Sequence, residues 1–106
     1  MIDIARIKIL CDNNELRWTN HVLTRLIQRG ISTDDVVCVL QNCEIVEQYP
    51  TDYPYPSCLV LGKSLDNKFV HVVCGLSDDE LWLITAYYPD SDEWTDNFKK
   101  RREATK

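Results

Sequence analysis

The spacing of apolar residues along the chain changes near residue 43, from helical to alternating and short-run. Before that point the polar and apolar positions suit helices. Residues 3–12 read as a first helix capped by Asp3, although Ile2, Ile4, Ile7 and Ile9 fit a strand equally well. The next helix starts at Thr19, a residue whose hydroxyl satisfies free backbone N–H groups. Val22, Leu23, Leu26 and Ile27 share one of its faces, and Gly30 stands where a left-handed C-terminal cap belongs, with Ile31 folding back on Leu26. Ser32 then offers a second cap, Asp34 and Asp35 suit the positive end of a helix, and Ile31 is placed to staple to Val36. This predicts a helical hairpin whose second arm runs to about Gln41, with Asn42 ending it.

From Cys43 onward, residues 43–49, 57–63, 68–76 and 80–88 are short runs rich in Val, Ile, Leu, Trp and Tyr. Asp66-Asn67 and Ser77-Asp78-Asp79 supply turns between them, and links this short allow only antiparallel neighbours. The last three strands therefore predict a meander. Val70, Val72 and Cys74 fall on one side of it, Phe69 and Val73 on the other, so both faces need at least partial cover. Residues 91–104 predict a C-terminal helix for that purpose, with Ser91 as cap, acids in the first turn, Lys99 to Arg102 in the last, and Trp94 stacked on Phe98 at i, i+4. The expected architecture is α+β: N-terminal helices packed on a curled, mainly antiparallel four-stranded sheet, followed by a C-terminal helix.

A length of 106 residues fits one domain spanning 1–106, and 44% hydrophobic residues with few Gly and Pro exclude a disordered or low-complexity chain. No apolar run approaches the roughly 20 residues that cross a bilayer, and the start lacks the order of a signal peptide, so a cytoplasmic location is expected. The five cysteines include no C-x-x-C pair and sit mostly in apolar stretches, which predicts reduced core thiols and no metal site. A net charge of −5 argues against a general nucleic-acid binder, since such proteins neutralise phosphates with Lys and Arg. A locally basic cleft remains compatible with that total.

The candidate chemistry sits in a few places. His21, Arg25 and Arg29 recur at i, i+4 and i+8 and span about 80° of one helix face. That stripe is either an ordinary polar face or a phosphate clamp beside a proton carrier. His71 interrupts the apolar strand Phe69-Val70-His71-Val72-Val73, where an imidazole needs either a hydrogen-bonded core position or a cleft. Thr85 and Tyr87 share a phase with Leu81 and Leu83, so one strand face turns polar at its end. The loop Tyr49-Pro50-Thr51-Asp52-Tyr53-Pro54-Tyr55-Pro56 is either a pinned edge or a set of aromatic anchors for a base or a partner. Lys99 to Arg102 form the one basic cluster. With no nucleophile elbow and no Gly-rich phosphate loop, any catalysis is expected to be acid–base or electrostatic.

In order, His21-x-x-x-Arg25-x-x-x-Arg29-Gly30-Ile31-Ser32, His71-Val72-Val73, Ile84-Thr85-Ala86-Tyr87-Tyr88-Pro89, and Trp94 and Phe98 before Arg101-Arg102 resemble a bacterial domain-of-unknown-function family placed near the RelE and MqsR toxins. The resemblance covers roughly residues 17–103. It implies a RelE-like sheet with packed helices, a partner antitoxin that often carries a zinc-finger module, and cleavage of RNA without a metal or other cofactor. In such a reaction the 2′-hydroxyl attacks the adjacent phosphorus, and the protein supplies a base, an acid and positive charge. Carried over by position, His21 and His71 would move protons, Arg25 and Arg29 would clamp phosphate, Thr85 and Tyr87 would orient it, and Arg101 and Arg102 would assist. The rival expectation is a non-catalytic module that binds a protein.

Overall fold

The computed structural model describes residues 1–95 and 97–101. Helix α1 (Ile4–Asp12) is capped by the Asp3 carboxylate, which accepts from the Ala5 N–H, so the helical reading of this segment holds. A three-residue strand β1 (Leu16–Trp18) follows, then α2 (Asn20–Arg29) and α3 (Thr33–Gln41). Thr19 caps α2, Gly30 ends it at φ 69°, and the Gly30 and Ile31 N–H groups return to the Ile27 and Leu26 carbonyls. Ser32 and Asp35 form a reciprocal capping box at the start of α3. Ile31 and Leu26 are both buried, but Ile27 is 81% exposed and does not join the face assigned to it from the sequence.

The strands β2 (Glu44–Tyr49), β3 (Ser57–Lys63), β4 (Phe69–Leu76) and β5 (Leu81–Tyr87) lie within a residue of their expected limits, and β3, β4 and β5 form the expected meander. The sheet has five strands rather than four, in the order β1-β5-β4-β3-β2. The added strand, β1, pairs in parallel with β5, Leu16 opposite Leu81 and Trp18 opposite Leu83. All three helices serve one face of the sheet. Val22 and Leu26 of α2, Val36, Val39 and Leu40 of α3, and Ile7 and Leu10 of α1 share a core with Cys58, Val60, Val70, Val72, Cys74, Leu83 and Ala86. Gly62 lets α3 come close: a methyl there would stand 2.9 Å from both the Val39 side chain and its carbonyl oxygen.

The expected C-terminal helix does not form over the described part of 91–104. Turns lead instead into a two-stranded ribbon of β6 (Trp94–Thr95) and β7 (Lys100–Arg101), with Asn97 and Phe98 at φ 56° and 70°. A helix would have stacked Trp94 on Phe98. The ribbon instead sets Trp94 against His71, at 4.5 Å between ring centroids, and Phe98 against Phe69, at 5.3 Å. Burial on the far face of the sheet outweighs local helix preference here, as tertiary context commonly does. The basic residues follow suit: Lys99 pairs with Glu44 and Arg101 with Glu47, both on β2, in place of a helix end. The remainder of the expected helix, including Arg102, lies outside the described residues. All five cysteines are free thiols, four of them buried; Cys58 and Cys74 face each other across β3 and β4 with sulfurs 3.8 Å apart. No described helix is long and apolar enough to cross a membrane.

Candidate functional site

Strand β4 places side chains alternately on the helix-covered face and on the far face, so His71 points away from Val70 and Val72 and under the ribbon. It is fully buried. Both ring nitrogens are engaged: Nε2 lies 2.8 Å from the Phe98 carbonyl oxygen, and Nδ1 lies 3.3 Å from the Tyr87 hydroxyl. A carbonyl only accepts, so these partners assign the proton to Nε2 and leave Nδ1 to accept from the Tyr87 O–H. The edges of Tyr87 and Trp94 pack on the ring. Burial pushes the His71 pKa down, with the Phe98 carbonyl opposing and the Arg101 charge adding to the shift, so the imidazole is neutral.

Tyr87 is half-buried directly opposite His71 on β5, two residues beyond Thr85 on the same face. Burial raises its pKa; the Arg101 and Arg29 guanidinium groups pull it down, and Glu47 and Glu93 push it up. Arg29 arrives from the end of α2. Because β1 pairs only with residues 81–83, the edge of β5 beyond them has no neighbouring strand. Arg29 Nη1 fills that edge, donating to the Ala86 carbonyl at 2.8 Å and to Thr85 Oγ1 at 3.0 Å. Tyr88 ties the same corner by donating to the Gly30 carbonyl.

Arg101 comes from the ribbon, lies 4.6 Å over the Trp94 ring, and grips Glu47 through Nε (2.9 Å) and Nη2 (3.1 Å). The Tyr49 hydroxyl donates to the same Glu47 carboxylate. Burial pushes the Glu47 pKa up, but Arg101 and Tyr49 together outweigh it and hold the carboxyl below its usual range. Tyr49 is raised by burial and by the adjacent carboxylate. Among the described residues, no group of three or more His, Cys, Asp or Glu side chains is arranged to hold a metal ion.

Of the residues singled out in the sequence, His71, Thr85, Tyr87, Arg29 and Arg101 thus share one end of the far face. His21 and Arg25 do not join them. They stay on the exposed side of α2, whose Val22 and Leu26 enter the opposite core, and Arg25 lies 3.5 Å from Gln28. Their stripe belongs to the helix surface; only its last member, Arg29, turns in to the sheet. Sequence reasoning missed Glu47 and Tyr49, although their i, i+2 spacing on a strand places both on one face. It also missed the Phe98 carbonyl, which no side-chain pattern could announce.

The profile of a domain of unknown function, DUF4258, matches residues 18–88, well over half of the chain. The chain belongs to the DUF4258 family. The matched stretch runs from the end of β1 to just past β5. It contains Arg29, Glu47, His71, Thr85 and Tyr87, whereas the ribbon with Arg101 lies beyond it. Neither the curated proteins nor the solved structures contain a match to this chain.

Proposed function

We propose that this domain is an endoribonuclease of the toxin type, restrained by a partner protein, that cleaves RNA by 2′-hydroxyl attack without a metal. The observation that carries the reading is the hydrogen bond between Tyr87 and a buried His71, with Arg29 bound to Thr85 and Ala86 on the same strand and Arg101 stacked on the Trp94 ring that packs against His71. The resemblance of the sequence to a family placed near the RelE and MqsR toxins is what suggests this class.

In this reading Tyr87 and His71 form one relay. As the 2′-oxygen bonds to phosphorus, its proton passes to the Tyr87 oxygen while the Tyr87 proton moves to His71 Nδ1. The imidazolium keeps its Nε2–H on the Phe98 carbonyl. Burial makes that cation short-lived, so the relay runs back and protonates the departing 5′-oxygen. The products are a 2′,3′-cyclic phosphate and a 5′-hydroxyl. Arg29 and Arg101 face the charge that grows on the phosphorane oxygens, where fixed cations contribute most. Thr85 and Glu47 hold those two guanidinium groups in place.

Expression of wild type and Tyr87→Phe from a tightly repressed promoter tests this. Growth arrest with cleaved messenger RNA is expected for wild type, and its loss for the variant. A folded wild type that leaves growth and RNA intact removes catalysis and leaves a protein-binding domain.

A further inference from the structure

At the end of the far face away from Tyr87, the ribbon no longer covers the sheet. Tyr53, Pro54 and Tyr55 of the β2–β3 loop, with Gly75, Trp82 and Ile84 of the sheet, line a groove of about 320 Å³. Its apolar groups face solvent: Tyr53 is 96% exposed and Ile84 43%. A contiguous apolar patch of this kind, framed by polar residues, marks a place where another chain sits. The groove is separate from the candidate active site. Gly75 and Trp82, which pair across β4 and β5, lie four and five residues from His71 and Tyr87, about 13–17 Å along the strands.

Charge selects the occupant. Tyr55 also borders an adjoining hollow of about 610 Å³ whose rim carries Asp78 and Asp79 in the β4–β5 turn. Arg6 binds the Asp78 backbone carbonyl at 2.7 Å, not its carboxylate, and Arg17 pairs with Glu80. The two aspartates therefore leave negative charge at the mouth, on a chain whose net charge is −5. Phosphates would be repelled there, and Lys or Arg side chains attracted.

We propose that this groove docks an extended segment of a protein partner, with an aromatic or aliphatic anchor between the tyrosines and Trp82 and with Lys or Arg over Asp78 and Asp79. Because the floor is Gly75, it can be raised without harm to the fold. A methyl there would stand 3.5 Å from the Ile84 side chain and 3.6 Å from the Pro56 carbonyl, ordinary contact distances.

Selection of a random peptide library, displayed on phage, against the full chain tests the assignment, with fluorescence polarisation of the enriched peptides. The enriched peptides should combine an apolar anchor with adjacent Lys or Arg. Tyr53→Ser with Ile84→Ser should weaken binding at least about tenfold. Asp78→Asn with Asp79→Asn should weaken it about threefold and flatten its salt dependence. Gly75→Ala should weaken it while circular dichroism and the thermal midpoint stay at wild-type values; Tyr87→Phe should leave it unchanged. No enrichment, enrichment of acidic peptides, affinity indifferent to the groove variants, or displacement of the peptide by single-stranded RNA would each overturn the proposal.

Discussion

His71 shows how a titratable ring can be held inside a core. An imidazole between apolar neighbours is stable only if both nitrogens find partners, and the Phe98 carbonyl and the Tyr87 hydroxyl supply them. Its pKa is lowered in the folded state, so the unfolded chain takes up a proton first as pH falls. The stability held by the neutral ring is therefore complete above the unfolded value of about 6.5 and drains away below it. Urea unfolding from pH 8 to pH 5 should show that decline in wild type and lack it in His71→Gln. An equal decline in the variant would place its origin elsewhere. The loss tied to Glu47, whose carboxyl is held low, belongs to a lower window, below about 4.3. The sequence made His71 conspicuous because a titratable ring stood among Val and Phe; the groups that tame it come from residues 16 and 27 positions away.

Among the elements, those with local causes are legible in the sequence. Thr19, Gly30, Ser32 and Asp35 act on backbone groups within four residues of themselves, and the helix limits follow from them. The meander was legible for the same reason, since its turns are short. Strand β1 was not: three residues carry no usable period, and their pairing with β5 reaches across more than sixty positions. The ribbon was misread because Ser91, Asp92, Trp94 and Phe98 satisfy every local rule for a helix, while the surface that overrides them, Phe69 and His71 on β4, is non-local. Packing between elements gives its own prediction. Gly62→Ala would drive a methyl into the Val39 backbone, which cannot swing aside as a side chain can, so a loss of about 1–3 kcal/mol is expected by thermal or urea unfolding. A variant as stable as wild type would mean that α3 rides higher over β3 than described.

For the whole molecule, the division of labour between the two faces of the sheet matters most. Helices seal one face. The other is closed at one end by the ribbon, over Phe69 and His71, and open at the other, over Trp82 and the tyrosine loop. In the proposed reading the cations that this acidic chain would offer RNA are Arg29 and Arg101, which are fixed locally, against a carbonyl and a carboxylate. The account stands on the Tyr87–His71 relay acting on a ribose hydroxyl. Its most direct test is incubation of the purified chain, in excess EDTA, with a single-stranded RNA and with the same strand carrying 2′-deoxyribose throughout. Cleavage of the RNA alone, ending in 2′,3′-cyclic phosphate and falling at least about a hundredfold in Tyr87→Phe, is the predicted result. Cleavage of both strands, or undiminished cleavage by the variant, would contradict it.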